Sequence, residues 1–596
     1  LDLKQLAWPD GYEKKNVDAL FKDLGFFSLI ARLPSFAKAS DDKPTEEMSL
    51  FEDTNFLKQA RKIFWHERDG KLFAVLEDKK IFELAFADKL AQELLESKKE
   101  HYFFDAKKII HCLPEVTISN ISFDLKIASW LARPVLANPS LETLVHNFLP
   151  KEIVSEGEQL ATIRLLPNLC SVIMRELEDK KLLRVWEDIE LPLIPVLFKM
   201  EKEGIIIDSK FLMNLSGKYE KEIKKLQDKI WEMAGGEFNV SSPKQLSEVL
   251  FGKMNLSAKG LKKTDGGALS TRESELAKLK DAHPIIKEIL TYRELSKIKS
   301  TYLDALPKLA DKGGRVHTNY EQTGAVTGRL SSSDPNLQNI PIRSEAGRET
   351  RKAFLARKGF AMVAIDYSQL ELRIAAILSG DEKMKRAFRD GKDIHSITAA
   401  EIFDVPENKV TDDMRREAKT INFGILYGMG INALSRALEV PRDRAQSFLD
   451  AYFTRFDGVY EFLEKTKASA RKNGFVETMF GRRRYLPEIY SQAEYIRKEA
   501  ERMATNAPIQ GTEADVVKLG MIRCDALINK DFLGKAFQLL QIHDELLFEV
   551  KEGVVPIFVK KVKNILEDIY SGDVLLSVDV KIGSSWGEMK KYAMLE

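Results

Sequence analysis

The chain has 596 residues and carries 92 lysines and arginines against 91 aspartates and glutamates, so its net charge is +1. This length exceeds what one hydrophobic core usually serves, and we expect two or more domains. The balanced charge excludes a uniformly basic nucleic-acid-binding chain and leaves only local basic patches for such binding. Three widely spaced cysteines exclude a disulfide framework or a thiolate zinc site, and no apolar run is long enough to span a membrane. We therefore predict a cytoplasmic protein.

Residues 1–185 mix short strand-like runs with amphipathic helical patterns. The run KLFAVLEDKKIFEL is typical of strands, and ADKLAQELLESKK is typical of a helix. This mixture predicts an α/β domain. Because the chain begins with Leu1 rather than Met, we expect it to be a fragment or a processed product.

From residue 186 to about residue 310 the pattern is almost purely helical. Long charged amphipathic stretches flank the basic loop AKGLKKTDGGALST, which contains Lys262 and Lys263. We predict a helical hairpin whose cationic tip is suited to phosphate contacts, although a run of charge is usually only a solvated face.

Two acidic segments in the remainder stand beside strand-like runs. In GFAMVAIDYSQLELRIAAIL an apolar strand leads to Asp366 and a helical pattern follows. In FQLLQIHDELLFEV the turn between two strand-like runs contains His543, Asp544 and Glu545. Phosphoryl transfer from a triphosphate needs carboxylate oxygens that hold Mg²⁺. For either segment alone, however, ordinary turn chemistry is the better explanation.

A third segment decides between these explanations. TDDMRREAKTINFGILYG places Arg415, Lys419, Phe423 and Tyr427 four residues apart, on one face of a helix whose end is marked by Gly428. A core-facing stripe would be aliphatic, and a solvated face would have no reason to end in two aromatic rings. A nucleotide offers a polyphosphate and a flat base in the same order, so we interpret the stripe as a nucleotide-binding face.

These segments resemble the signatures of family A DNA polymerases, in the form of the large, Klenow-like fragment of the bacterial members. The matching motifs are DYSQLELR (366–373), RREAKTINFGILYG (415–428), IHDE (542–545), TGRLSSSDPNLQNIP (327–341) and NAPIQGTEAD (506–515). The resemblance implies an α/β multidomain fold, a right-hand polymerase with an inactive RNase H-like 3′→5′ exonuclease-type domain at its N-terminus. The implied ranges are 1–185 for the exonuclease-like domain and 186–596 for the polymerase, with the thumb at about 186–310, the palm at about 311–372 and 500–596, and the fingers at about 373–499.

By the same resemblance, two Mg²⁺ ions, or Mn²⁺ in their place, would be held by Asp366, Asp544 and the backbone carbonyl of Tyr367. Glu545 would be a nearby acid of lesser or indirect importance. The primer 3′ hydroxyl would attack the α-phosphorus of a dNTP and release pyrophosphate, with Lys419 as the proton donor to the leaving group.

The resemblance also assigns residues to the nucleotide and to DNA. Arg415, Lys419 and His395 would contact the phosphates, although His395 alone would be interpreted as a surface or capping histidine. Phe423 and Tyr427 would stack at the nascent base pair, while Glu371 would close the sugar pocket against a ribose 2′ hydroxyl. Gln369 is a further implied dNTP-binding residue. The residues implied in primer, template or phosphate contacts are Arg329, Asn336, Gln338, Arg502, Asn506, Gln510, His543, Lys262, Lys263 and Arg482.

The N-terminal region departs from the pattern of proofreading relatives, whose second metal site is built from Asp-x-Glu, Asn-x-x-x-Asp and Tyr-x-x-x-Asp pairs. Of the first two pairs only Glu67 and Asp105 remain, and the third falls between Glu158 and Glu176, where no carboxylate occurs. Two acids are too few to hold two cations for hydrolysis. We therefore predict that 3′→5′ exonuclease activity is absent.

Residues 1–34 resemble the connector that follows the 5′ nuclease of full-length relatives, so we expect no 5′ nuclease activity in this chain. We predict a monomeric DNA-templated DNA polymerase of replication or repair, with primer–template DNA and dNTPs as partners, from a bacterium, a phage-infected cell or an organelle. A catalytically silent primer–template binding protein and a polymerase with substantial reverse-transcriptase activity are the alternatives. A silent protein would have no reason to keep Asp366, Asp544, Arg415 and Lys419 together.

Overall fold

The computed structural model describes residues 53–593, apart from residues 119, 151, 153–158, 258, 259, 265 and 343. The predicted connector and Glu158 lie outside the described residues. The strands of the described part are, in chain order, β1 (Lys62–Arg68), β2 (Lys71–Val75), β3 (Ile81–Leu84), β4 (Glu100–Phe103), β5 (Ile121–Asp124), β6 (Ile205–Ile207), β7 (Arg315–Val316), β8 (Asn319–Glu321), β9 (Ser331–Ser333), β10 (Phe354–Leu355), β11 (Phe360–Tyr367), β12 (Phe475–Glu477), β13 (Arg483–Tyr485), β14 (Ala536–Ile542), β15 (Glu545–Lys551), β16 (Val578–Gly583) and β17 (Lys590–Lys591).

The N-terminal region contains a five-stranded sheet with the order β3-β2-β1-β4-β5. Strands β1 to β3 are antiparallel neighbours, whereas β4 and β5 run parallel to β1. Trp65, Phe103 and Trp130 are fully buried between this sheet and its helices, so a single apolar core holds the region together. The predicted α/β character is therefore confirmed here. The helices are Asn55–Gln59, Lys89–Glu96, Ala106–Cys112, Leu125–Ala132, Leu141–Phe148, Gln159–Ile163, Leu166–Asp179, Leu183–Val185, the π-helical turn Trp186–Glu190 and Leu191–Glu203.

Two long helices, Ser209–Ala234 and Pro284–Ile298, pack against each other and form the predicted helical hairpin. The first begins where the Asp208 side chain accepts a hydrogen bond from the Phe211 amide and ends at Gly235, whose φ is +67°. Lys262 and Lys263 are exposed on the segment that joins the two helices. The shorter helices of this region are Pro243–Ser247, Glu248–Lys253 (π), Glu273–Leu276, Ala277–Leu279 (3₁₀), Lys299–Leu303 (π) and Leu306–Leu309.

The second half is organised around a five-stranded antiparallel sheet with the order β14-β15-β11-β16-β17. Its central strand β11 is buried between β15 and β16 and therefore brings the end of one acidic segment next to the other. The helices around it are Glu345–Arg351, Leu370–Ser379, Glu382–Arg389, Ile394–Ile402, Asp412–Leu426, Ile431–Leu438, Arg442–Arg455, Asp457–Asn473, Glu494–Asp531 and Val555–Glu567, with 3₁₀ turns at Glu407–Lys409, Pro487–Tyr490, Glu552–Val554 and Trp586–Glu588.

The helix Glu494–Asp531 is the element that joins these parts. Its 38 residues pack against the helices Leu370–Ser379, Asp457–Asn473 and Val555–Glu567, and one apolar core spans them and the sheet. Because so much of its surface is buried, polar side chains on it need partners from other elements. The buried polar groups of this helix therefore mark joints between regions of the chain.

Arg482 lies at such a joint, and the prediction that it contacts DNA phosphates is wrong. Its side chain is only 4% exposed and forms ion pairs with Glu190 and with Asp515, the latter at 2.7 Å from Nη2 to Oδ1. Lys518 Nζ lies 2.7 Å from Glu190 Oε1 and completes a buried group of two cations and two anions. A guanidinium enclosed in this way has no surface to present to DNA.

Candidate active site

Asp366 and Asp544 meet at one end of the antiparallel sheet. Asp366 is the penultimate residue of β11 and pairs with Glu545 of β15 on one side and with Asp579 of β16 on the other. Asp544 belongs to the two-residue turn between β14 and β15, and its carbonyl accepts a hydrogen bond of 3.3 Å from the Tyr367 amide. The predicted strand end and hairpin turn are thus confirmed.

The acids at this sheet end are electrostatically strained. Burial, followed by the charges of Asp544 and Glu545, raises the pKa of Asp366 to about 7. Burial also raises the pKa values of Asp544 and Glu545, the latter against the opposing charge of Arg351. Buried carboxylates that repel each other are stabilised by a cation placed between them.

The donor set at this point suits a hard divalent cation. Asp366 and Asp544 supply carboxylate oxygens, and the peptide carbonyl of Tyr367 lies beside them in the same strand end, which fits the oxygen ligands that Mg²⁺ requires. Within the described ranges, three or more His, Cys, Asp or Glu side chains do not converge on any metal position. Two carboxylates, a carbonyl and oxygens from outside the chain would therefore complete a metal site here.

The predicted nucleotide-binding face is also present as a helix. The Thr411 side chain caps the helix Asp412–Leu426 by accepting a hydrogen bond from the Met414 amide, and the chain leaves it at Gly428, whose φ is +65°. Tyr427 is the first residue beyond the helix. The helix end that Gly428 marks in the sequence is confirmed.

The two cationic side chains lie nearer the start of this helix, and the two aromatic rings lie nearer its end. Arg415 is exposed and its Nε lies 2.5 Å from Asp393 Oδ2, so a carboxylate holds its guanidinium in the free protein. Lys419 is also exposed, with Nζ 6.0 Å from the centroid of the Phe423 ring. The Phe423 and Tyr427 rings are stacked, with centroids 6.2 Å apart and an interplanar angle of 24°.

His395 lies behind this face rather than on it. Its side chain is buried, Nδ1 is 3.0 Å from Asn422 Nδ2, and its ring is 5.9 Å from the ring of Phe423. Burial, with smaller effects from neighbouring charges, lowers its pKa to about 4, so the imidazole is neutral at pH 7. The charges of Lys419 and Arg415 reach His395, and Asp393 accepts hydrogen bonds from both the His395 amide and Arg415, so His395 lies near the other predicted phosphate ligands. Its contact with phosphate stays a prediction.

Glu371 contacts the hydroxyl end of Tyr427, beside which the sugar pocket is predicted. The Tyr427 hydroxyl donates a hydrogen bond of 2.6 Å to Glu371 Oε2. Arg329 Nη2 donates to the other oxygen, Oε1, at 2.9 Å and also to Glu513 Oε2 at 2.5 Å. Gln369 stands just before the helix Leu370–Ser379 in a left-handed conformation, and its Oε1 is buried without a hydrogen-bond partner.

Glu513 was missed in the sequence analysis. Only 4% of the residue is exposed, and burial raises its pKa to about 8 against the lowering effect of Arg329. A signal for it existed, because Glu513 follows Gln510 by three residues and Asn506 by seven on one helix and therefore shares their face. The helix face that carries the predicted DNA contacts Asn506 and Gln510 therefore also carries a buried acid.

The remaining predicted DNA contacts fall into two groups around the sheet end. Arg502, Asn506 and Gln510 are spaced by four along the helix Glu494–Asp531, and Arg502 packs against Gly428 while pairing with Glu499. In the second group, His543 is exposed in the β14–β15 turn, Gln338 Nε2 donates to Gln541 Oε1 at 2.8 Å, and Asn336 Oδ1 accepts from the Gln338 amide. Lys262 and Lys263 belong to neither group.

The two exonuclease remnants line a separate cavity of about 490 Å³ in the N-terminal region. Lys108 forms an ion pair with Glu67, and Lys126 Nζ lies 3.1 Å from Asp105 Oδ2. Asp105 Oδ1 also accepts a hydrogen bond from the Lys108 amide and so caps a helix. Lysine ammonium groups therefore occupy the neighbourhood in which the remnants would bind cations.

A third acid beside these remnants, Asp124, also escaped the sequence analysis. It is fully buried, and its two oxygens accept hydrogen bonds from the Ala106 amide at 2.7 Å and the Ile127 amide at 2.9 Å. Burial and the charge of Asp105 raise its pKa to about 7. Its backbone contacts identify it as a helix cap rather than a free ligand.

A family model described as DNA polymerase family A matches residues 209–588, which is well over half of the chain. The chain belongs to DNA polymerase family A. This confirms the resemblance on which the site was assigned. Family membership rests on the region that carries both acids and the helix Asp412–Leu426, whereas the N-terminal sheet lies outside the matched residues.

Relatives and a solved structure agree with this membership of family A. The chain is 47% identical over 415 residues to the thermostable DNA polymerase I of Thermus filiformis, which covers 69% of this chain and 49% of that protein. It is 37% identical over 602 residues to DNA polymerase I of Caldicellulosiruptor bescii, covering 99% of this chain and 70% of that protein. The polymerase domain of Pol1 from M. smegmatis, solved in complex with DNA primer-template and dNTP, has a TM-score of 0.83 at 34% identity and covers 90% of this chain and 97% of that one.

The chain spans about half the length of the Thermus relatives that it matches. Within the described part of this family A chain, no helix is both long enough and apolar enough to cross a membrane.

Proposed function

We propose that the chain is a DNA-directed DNA polymerase that adds deoxynucleotides to a primer 3′ end and releases pyrophosphate. The observation that carries this proposal is that Asp366 and Asp544 lie together at one end of the sheet in a family A chain. The helix Asp412–Leu426 adds two cationic side chains followed by two aromatic ones. The M. smegmatis neighbour, solved with DNA primer-template and dNTP, supports both substrates.

Asp366, Asp544 and the Tyr367 carbonyl would hold Mg²⁺, with Mn²⁺ as a substitute. Such ions supply Lewis-acid stabilisation of charge on phosphate oxygens when bound. The protein contributes a rigid frame, because both acids are fixed by the backbone pairing of β11, β14 and β15. Their raised pKa values favour a site that takes up cations as substrate arrives.

The nucleotide-binding helix would hold the dNTP along its length. Arg415 and Lys419 would bind the triphosphate, and Lys419 would give its Nζ proton to the departing pyrophosphate oxygen. Phe423 and Tyr427 would stack at the nascent base pair. Glu371, hydrogen-bonded to the Tyr427 hydroxyl, would leave neither a free partner nor space for a ribose 2′ hydroxyl.

Replacing Lys419 with alanine should lower kcat/KM for dNTP incorporation by about 10²-fold, because both phosphate binding and proton transfer are lost. Single-nucleotide incorporation on a primer–template measures the effect. Arg416→Ala is the matched control, since Arg416 lies on the same helix but is exposed and forms a surface ion pair with Asp413. Equal effects of the two substitutions would mean that loss of positive charge from the helix, rather than the Lys419 contact, limits incorporation.

We also propose that the N-terminal region has no 3′→5′ exonuclease activity. This proposal is supported by the ion pairs that both remnant acids form. Glu67 pairs with Lys108, and Asp105 pairs with Lys126. An ammonium group at each carboxylate both neutralises it and repels an incoming divalent cation.

Incubation of end-labelled single-stranded DNA with the chain and Mg²⁺, without dNTP, is expected to leave the DNA intact. The same preparation must extend a primer when dNTPs are added, which shows that it is active. A ladder of shortened products that disappears in the Asp105→Ala variant would overturn this proposal.

A further inference from the structure

Glu513 is a buried acid at the sugar pocket to which no role has yet been given. It lies on the helix Glu494–Asp531 and, together with Arg329, Gln541 and His543, lines a small cavity beside the predicted primer-contact residues. Its closest partner is Arg329, whose Nη2 lies 2.5 Å from Glu513 Oε2. Glu513 therefore acts on the site through its hydrogen bond from the Arg329 guanidinium.

Arg329 divides its hydrogen bonds between two acids. One contact from Nη2 goes to Glu513 and the other to Glu371 Oε1 at 2.9 Å. A guanidinium that faces a single carboxylate usually binds both of its oxygens at once. The bond to Glu513 therefore keeps the Arg329–Glu371 contact on one oxygen only.

The oxygen that Arg329 leaves free is the one that Tyr427 uses. Glu371 Oε2 accepts the Tyr427 hydroxyl at 2.6 Å, and only 9% of Glu371 is exposed. If Arg329 took both oxygens of Glu371, it would compete with Tyr427 for Oε2 and draw the carboxylate away from the Tyr427 hydroxyl. The pocket that excludes a 2′ hydroxyl would then loosen.

We propose that Glu513 is a positioning residue for deoxynucleotide selection, which holds Arg329 so that Glu371 stays bonded to Tyr427. This inference rests on the proposed polymerase function. It assigns to Glu513 no contact with substrate, because its effect passes through Arg329 and Glu371.

The test compares incorporation of a dNTP with incorporation of the matching rNTP on a DNA primer–template with Mg²⁺. Glu513→Ala should lower the ratio of the two kcat/KM values by about tenfold, the size of one hydrogen bond to a charged group. Glu513→Gln keeps an acceptor for Arg329 and should retain most of the ratio. Glu513→Asp withdraws the carboxylate by one methylene and should lower the ratio in the same direction as alanine, which provides a second variant if alanine disturbs folding.

Two controls separate positioning from general damage. Glu494→Ala, at the exposed start of the same helix, should leave the ratio unchanged. In a Tyr427→Phe background, which lacks the hydroxyl, Glu513→Ala should change the ratio much less than in the parent, because the two substitutions break one chain of contacts.

The inference is overturned if Glu513→Ala and Glu513→Asp both keep the parent's ratio, or if the alanine effect is undiminished in the Tyr427→Phe background. Equal losses for dNTP and rNTP would assign Glu513 a purely structural role and overturn the inference as well. Failure of the parent chain to extend a primer with dNTPs would instead overturn the proposed function, so the two failures are distinguishable.

Discussion

Asp366→Ala should abolish primer extension, with a fall in rate of about 10³-fold or more. Loss of one of two carboxylates removes a cation site worth several kcal/mol of charge stabilisation at the reacting phosphate. Primer–template affinity should be retained, because Asp366 lies at a strand end and not among the predicted DNA contacts. Extension assays and binding titrations on the same preparation measure the two properties.

Asp579→Ala is the matched control for that experiment. Asp579 stands opposite Asp366 on β16, but its side chain is 44% exposed and pairs with Lys591 at 3.0 Å. A surface pair of this kind contributes at most about 1 kcal/mol, so extension should change little. If Asp366→Ala extends a primer as well as the parent does, the two-carboxylate mechanism is wrong.

The melting temperature of the Asp366→Ala variant shows whether it folds, and the raised pKa of Asp366 predicts the direction of its change. The folded pKa of Asp366, about 7, lies above the ordinary value for an aspartate, so its ionisation destabilises the metal-free fold as pH rises through that range. At pH 8 in the presence of EDTA, the variant should therefore melt at the same temperature as the parent or higher. A marked drop in melting temperature would show that inactivity arises from unfolding.

Features set by local pattern were predictable from the sequence. The strand ending at Asp366, the turn containing Asp544 and the helix from Asp412 to Leu426 depend on periodicity and capping within a short window, and all three are present. The helical hairpin from Ser209 to Ile298 followed from the same kind of signal.

Features set by long-range partners were not predictable in this way. Arg482 stands in the run GRRRYLPEI, which is as compatible with a surface patch as with burial, and its partner Glu190 is 292 residues away in the sequence. Glu513 is likewise defined by Arg329, which faces it from another element, and the burial of Asp124 depends in part on the Ala106 amide 18 residues away. A single sequence gives residue types along the chain, whereas pairing of buried charges depends on how distant elements pack.

The second large predicted effect is on stability, and it arises from the buried charges around Arg482. Arg482→Ala should lower the free energy of unfolding by about 3–5 kcal/mol, because it leaves Glu190 and Asp515 buried with only Lys518 to balance them. Burial opposes ionisation, but Lys518 and Arg482 lower the pKa of Glu190 to about 2. An acid whose folded pKa is lowered stabilises the fold above its unfolded pKa and ceases to do so as pH falls toward the folded value. Urea unfolding near neutral pH therefore reports the full effect.

Arg483→Ala is the matched control, since the neighbouring arginine pairs with Glu477, whose side chain is 46% exposed, and should cost no more than about 1 kcal/mol. Arg482→Lys keeps the charge but not the forked guanidinium that contacts two acids, so its free energy of unfolding should fall between those of the parent and the alanine variant.

The same variants also test whether Arg482 contacts DNA. Arg482 would be shown to contact a DNA phosphate by two results together. The Arg482→Ala variant would keep the parent's stability, and the slope of its primer–template affinity against salt concentration would fall by about 1. Loss of stability with an unchanged salt dependence would establish that this arginine joins the N-terminal region to the polymerase rather than to its substrate.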